Sequence, residues 1–232
     1  MMFGFRKGLG TSDALIKLLD TIKERRAAGD FVATLTCDAS SAFDLLHHGL
    51  VTSMLKRLGS GTKVIRFVES FLHDTKQYVT VNDCKSDTWS LDVGSGQGHV
   101  LSPPLYNIGT LSQYFWTTIS IFFGYADDGS DLVSAPTISE CNLKIRKVMA
   151  ARQEWYKLAG MSLNNSKTKI MGFGFTPDPL DLGDVTIEPS SSMKFLGFEI
   201  QNNLGQDLHV NAVANKIRHA AAQIRANGRN FR

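Results

Sequence analysis

Residues 121–133 read IFFGYADDGSDLV: an apolar, aromatic run, the tetrapeptide Tyr125-Ala126-Asp127-Asp128, a Gly-Ser break and a second apolar stretch. Two short apolar runs bracketing turn-forming residues predict strand, turn and strand. Two adjacent carboxylates at the tip of such a hairpin have two readings. Asp and Gly are ordinary turn residues. Paired carboxylates on a rigid tip are also cation ligands, and the tetrapeptide by itself leaves both readings open.

Working outward, FVATLTC (31–37) is short and rich in β-branched residues, which predicts a buried strand delivering Asp38 at its end. Before it, Thr11-Ser12-Asp13 caps a helix whose Leu15, Leu18, Leu19 and Ile22 recur at helical spacing until Gly29. After it, SAFDLLHHGLVTSMLKRLG (41–59) is predicted helical, and a further helix is expected to carry Val64, Phe67, Val68 and Phe71 on one face. QYVTVND and KSDTWSLDV read as paired strands turning at Asn82-Asp83. GSGQGHV (94–100) is a glycine-rich break, after which Pro103 or Pro104 starts a helix.

Residues 137–159 form a long helix ending at Gly160, and KTKIMGFGF and MKFLGFEI are predicted as two further strands. From Asp207 the tail is amphipathic, with Val210, Val213, Ile217 and Ile224 on one side. Helices interleaved with strands around an antiparallel hairpin give an α+β fold class.

The 232 residues suffice for a sizeable core, and 43% hydrophobic with 20% charged residues is ordinary for a globular chain. A net charge of +3 permits nucleic-acid contact without arguing for it. Cys37, Cys84 and Cys141 are widely spaced and odd in number, which fits neither a disulfide framework nor a zinc site but a reducing compartment. The apolar run near Phe115–Phe123 is too short to span a bilayer, and the start lacks a secretory core, so a soluble intracellular protein is expected. The six histidines show no metal-ligand spacing, and adjacent His47 and His48 read as surface or internally satisfied residues.

If the strand ending at Asp38 lies beside the hairpin, three carboxylates approach one another. Such a cluster repels itself and raises its pKa values unless a cation intervenes. Oxygen-only ligands favour Mg²⁺ or Mn²⁺ over zinc. Two such ions support phosphoryl transfer by activating a hydroxyl and stabilising the leaving phosphate.

Six blocks, in order, carry a family resemblance: FGFRKGLGTSDALIKL, LTCDASSAFDLLHHGLV, GSGQGHVLSPPLYNI, GYADD, LNNSKTKIMGF, and MKFLGFEI with the later His209. Together they resemble the reverse transcriptase domain of non-LTR (LINE-type) retrotransposons. The resemblance implies a polymerase palm-like antiparallel sheet flanked by helices over residues 1–200. Residues 201–232 would form an amphipathic, basic C-terminal helix leading toward a thumb. Fingers would lie before residue 1, so the chain reads as a palm with fingers and thumb largely missing.

By the same resemblance Asp38, Asp127 and Asp128 would be catalytic metal ligands, assisted by the Ala39 carbonyl, with Asp127 favoured over Asp128. Phe43 would be the aromatic gate against a ribose 2′-hydroxyl, and Gln97 and Gly98 would position nucleotide and template. Tyr125 would pack near the primer end. Lys167 would protonate the pyrophosphate leaving group, and Arg6 and Lys7 would touch nucleic-acid backbone. Asp44 reads as structural. Implied partners are RNA template, DNA primer and deoxynucleotide triphosphates, with Mg²⁺ or Mn²⁺ as cofactor.

Gly96, Pro104 and Gly129 depart from the family pattern, and Pro104 is compatible only with a first helical turn. A second reading makes the chain a non-catalytic, element-derived subunit of a larger assembly, with other proteins covering the fingers and thumb faces. A third makes it an unstable relic.

Overall fold

One strand organises the molecule. In the computed structural model, which describes residues 1–40, 44–73, 75–91, 93–94 and 99–228, the order is α1 (Thr11–Ala27), β1 (Phe31–Ser40), α2 (His48–Arg57), α3 (Thr62–His73), α4 (Ser102–Thr110), β2 (Ile121–Tyr125) and β3 (Asp128–Ala135). There follow α5 (Ile138–Leu158), β4 (Ser162–Leu163), β5 (Lys169–Phe173), β6 (Ser192–Phe195), β7 (Phe198–Gln201) and α6 (Asp207–Gly228). Strand β1 pairs antiparallel with β3 along one edge and with β5 and β4 along the other, and β2 closes the hairpin beyond β3.

Both faces of β1 are covered, which is why its sequence is apolar without alternating. Ala33, Leu35 and Cys37 face a core built with Leu46, Val51, Tyr106, Ile145 and Trp155 from the α2, α4 and α5 side. Val32 faces a second core with Leu18 and Ile22 of α1 and Met193, Phe195 and Ile200 of β6–β7. Leu18, Ile22 and Leu35 are fully buried, and each contributes about 1.5–3 kcal/mol. Thr34, on the same face as Val32, donates its hydroxyl to the Met193 sulfur at 3.0 Å.

A buried ion pair ties α5 to the sheet. Arg152 donates through Nε and Nη2 to the two Asp131 carboxylate oxygens at 2.7 and 2.8 Å, both side chains being 1% exposed. Nη1 donates to the Gln113 carbonyl at 2.8 Å, and the Ser120 hydroxyl donates to Asp131 at 2.6 Å. The guanidinium also lies 4.1 Å from the centre of the Phe122 ring. Every polar group of the pair therefore finds a partner without water, which a buried pair requires.

Most predicted elements are present, with four differences. β1 continues to Ser40, so Asp38 lies within a strand. The helix expected from residue 41 starts at His48, because His47 is extended and its Nδ1 accepts from the Gly49 amide as a cap. In α3 the core side is Ile65, Val68 and Leu72, while Val64 and Phe67 are 50% and 59% exposed. The helix is turned by one position, about 100°, from the expected face.

MKFLGFEI is a hairpin rather than one strand, because Leu196 and Gly197 both adopt positive φ (49° and 87°) in a two-residue turn. Asn82 and Asp83 turn in the same way where expected. Pro103 and Pro104 fall in the first turn of α4, where no amide donor is needed. The tail is helical as expected, but Val210, Val213, Ile217 and Ile224 are exposed. Among the described residues no helix is long and apolar enough to cross a membrane.

Arg152→Ala leaves Asp131 charged and buried, so urea denaturation should show a loss of about 3–5 kcal/mol. Replacing both charges together, as Arg152→Met with Asp131→Leu, should cost less than that single change.

Candidate active site

Asp38 and Asp128 are Cα partners in the β1–β3 ladder, and directly opposed residues project to the same face of a sheet. Asp127 stands beside them in the two-residue turn between β2 and β3, whose last rung is Tyr125↔Asp128. Ala126, the first turn residue, has φ +54°, a left-handed conformation that costs an L-residue about 1–2 kcal/mol. The N-terminal segment buttresses it. Gly124 donates to the Met1 carbonyl and Phe3 to the Gly124 carbonyl, each at 2.9 Å. A Cβ at Gly4 would lie 2.4 Å from the Ala126 nitrogen, so only glycine fits there.

The opposite wall is a tight turn after β4. Asn164 donates its amide to the Asp38 carbonyl at 2.9 Å and accepts from the amides of Lys167 and Thr168 at 3.1 and 3.0 Å. That folding carries the Lys167 ammonium to 3.1 Å from the Asp38 carboxylate. Ala39 pairs with Leu163 on the next rung. Asp38, Asp128, Lys167, Lys169 and Lys194 line a cleft of ≈ 270 Å³. Tyr125, Asp127, Asp128 and Lys194 line an adjoining one.

The electrostatics follow from this crowding. Partial burial, then the nearby Asp127 and Asp38 carboxylates, raise the Asp128 carboxyl above its ordinary value, with Lys167 and Lys194 opposing. Tyr106, under the floor, is pushed up by burial and by the same three aspartates. Among the described residues no three His, Cys, Asp or Glu side chains converge tightly enough to enclose an ion. The donor set is nonetheless all oxygen, and among the described residues Asp38 alone of the three carboxylates forms an ion pair, with Lys167, an arrangement that fits a hard divalent cation. Lys167 supplies the positive charge at Asp38.

Of the predicted site residues, the fold brings Asp38, Asp127, Asp128, Lys167, Ala39 and Tyr125 to one end of the sheet. In the ladder Asp128 is the residue opposite Asp38, and Asp127 stands on the adjoining turn. Arg6 folds back to donate to the Met2 carbonyl at 3.0 Å, and Lys7 is exposed. Phe43, Gln97 and Gly98 lie outside the described residues. Lys169 and Lys194 were not anticipated at the cleft. Nor was Arg152, although a charge on an otherwise apolar helix face signals a buried partner.

The reverse transcriptase (RNA-dependent DNA polymerase) family profile matches residues 1–200. This chain belongs to the reverse transcriptase family. Relatives include the RNA-directed DNA polymerase of mobile element jockey from Drosophila funebris, 26% identical over 93% of this chain and 25% of the relative. The probable polymerase of transposon BS from Drosophila melanogaster is 24% identical over 96% of this chain and 26% of the relative. Both are non-LTR elements, and the chain spans about a quarter of their length.

The reverse transcriptase fold also matches a Candida tropicalis telomerase solved with a fragment of telomeric RNA. Its TM-score is 0.61 at 16% identity, covering 89% of this chain and 34% of that one. An apo telomerase from the same species gives 0.58 at 15% identity, covering 84% and 38%. Reverse transcriptases use divalent metal ions. These matches do not favour the reading as a non-catalytic subunit.

Two outcomes test this geometry. Ala126→Gly should raise stability by about 0.5–1 kcal/mol in denaturant titration, since relief of the positive φ is partly offset by greater unfolded-state entropy. A carboxyl raised by folding binds its proton more tightly in the folded state, so it weakens folding once pH exceeds its folded value. Asp128→Asn should therefore melt higher than wild type at neutral pH without divalent ions, the gap closing as pH falls below about 4.

Proposed function

We propose that this chain is the palm-like core of an RNA-directed DNA polymerase, adding deoxynucleotides to a primer 3′-hydroxyl on an RNA template. Residues 1–200 are assigned to the palm-like domain and 201–232 to its connection toward a thumb. The observation that carries the reading is the pairing of Asp38 with Asp128 on one rung, with Asp127 on the adjoining turn, at the open end of a buried sheet.

Asp38, Asp127 and Asp128 are assigned the metal, Mg²⁺ or Mn²⁺, with the Ala39 carbonyl assisting. When bound, the ions supply activation of the attacking hydroxyl and charge stabilisation of the leaving phosphate. The chain's own residues do the rest. Lys167 holds a proton at the cleft wall and is assigned its delivery to the leaving pyrophosphate. Tyr125, on the last rung before the turn, is assigned packing at the primer end. Lys169 and Lys194 offer ammonium groups to phosphate oxygens. Phe43 is assigned exclusion of the 2′-hydroxyl, Gln97 and Gly98 nucleotide positioning, and Arg6 and Lys7 contacts to backbone phosphate.

Primer extension on an RNA template with Mg²⁺ and with Mn²⁺ tests the reading. Asp38→Asn and Asp127→Asn should each lower incorporation on the order of 10³-fold, the equivalent of several kcal/mol of lost charge stabilisation. Divalent ion should also raise the melting temperature of the wild type but not of Asp38→Asn. Incorporation by both variants at the wild-type rate would remove the aspartates from the chemistry.

A further inference from the structure

Away from the acidic cleft, α2 and α3 border a second cavity of ≈ 200 Å³, lined by His48, Gly49, Thr52, Glu69, Leu72 and His73. His48 is its buried wall, 6% exposed, at the first position of α2. Its Nε2 lies 2.8 Å from the Gly94 carbonyl. A carbonyl can only accept, so Nε2 carries the hydrogen and donates. That bond fixes the tautomer and leaves Nδ1 with a free lone pair. Nδ1 is buried and has no partner among the described residues, a costly state for a polar atom.

Two further donors on this cavity come from α3. Glu69 and His73 are four positions apart, hence one above the other on a single helix face. The imidazoles of His48 and His73 stand edge-on, 5.9 Å between centroids and 83° between planes. Two imidazoles sharing a zinc ion, each nitrogen about 2.0–2.1 Å from it, have ring centres roughly 5–6 Å apart at near-tetrahedral angles. Glu69 is held only by a loose pair with Lys56, at 4.0 Å, the lysine and glutamate side chains being 64% and 39% exposed. His73 is exposed as well. Among the described residues no three such donors are already drawn tight around one point, so any closing motion belongs to these two side chains.

We propose that His48 Nδ1, His73 and Glu69 form a transition-metal site that clamps α2 to α3, with Zn²⁺ as the cation its chemistry selects. A histidine that ligates a metal donates its other ring N–H to an acceptor such as a backbone carbonyl, which orients the ring and raises its basicity. His48 already makes that bond, to Gly94. Two nitrogens and one carboxylate suit zinc, whereas Mg²⁺ takes oxygen donors. The site shares no lining residue with the aspartate cleft. His48 is the fixed ligand, rotation of Glu69 and His73 completes the set, and the fourth position falls to water. Lys56 is the cation that faces the site, and it gives up Glu69 when the metal enters. The histidines show no ligand spacing in the sequence because one comes from each of two helices.

Titration of the full chain with Co²⁺ and with Zn²⁺, in excess Mg²⁺ to hold the aspartates, tests the site without any reference to catalysis. Bound Co²⁺ should give the intense visible absorption of a tetrahedral, nitrogen-containing site, and Zn²⁺ should displace it. Asp38→Asn should give the same spectrum. His73→Ala, at an exposed position, should weaken Zn²⁺ binding at least about tenfold, since losing even an outer partner of a ligand costs roughly 10–100-fold. Should that variant fail to fold, Glu69→Gln reads the same loss. In excess Mg²⁺, Zn²⁺ should raise the melting temperature of the wild type and not of His73→Ala. Equal Zn²⁺ affinity in wild type and His73→Ala overturns the proposal. So does a Co²⁺ spectrum that is six-coordinate or is lost in Asp38→Asn, and the cavity then belongs to water at Nδ1.

Discussion

The β1–β3 register is the constraint on which the site depends. Eight rungs run from Phe31↔Ala135 to Asp38↔Asp128, and a slip of one residue would send Asp38 to the opposite face. Two cores forbid that slip, because Val32 and Leu35 are buried on opposite sides. The Arg152–Asp131 pair adds a polar lock, since Asp131 opposes Leu35 and meets Arg152 of α5 in only one register. Hydrophobic burial supplies the energy, and the directional ion pair supplies the choice of rung.

At the end of this ladder the same architecture concentrates like charge. Asp38 and Asp128 are opposed, Asp127 is adjacent, and Lys167, Lys169 and Lys194 stand around them. Burial first, and then the Asp127 and Asp38 carboxylates, raise the Asp128 carboxyl, and Lys167 and Lys194 oppose that rise. Stability is given up locally where these charges are held together, a familiar arrangement in functional sites, and in the proposed reading a cation and phosphates would meet there. The strained Ala126 turn belongs to the same compromise.

Much of the fold was legible because local signals agreed with the tertiary outcome. The strand 31–37, the hairpin around YADD, the Asn82-Asp83 turn and the helix ending at Gly160 were each marked by pattern and punctuation. The three aspartates emerged from ordered motifs, and the β1–β3 pairing aligns two of them. What escaped was non-local. The α3 face depends on how α3 rests on α2, and its apolar residues fill more than one stripe. Of the two readings left open for His48, surface or internally satisfied, the structure gives the second: it is buried with Nε2 2.8 Å from the Gly94 carbonyl.

The N-terminal segment has one more consequence. Strand β2 is the outer member of the sheet, and residues 1–3 run parallel along its free side, bridging at Met2↔Gly124 with Phe3 stacked on Phe123. An uncovered, aromatic edge of this kind is a template for another chain's strand. The segment that buttresses the acidic turn therefore also covers this edge, so the closure of the sheet and the posture of its carboxylates rest on the same few backbone hydrogen bonds.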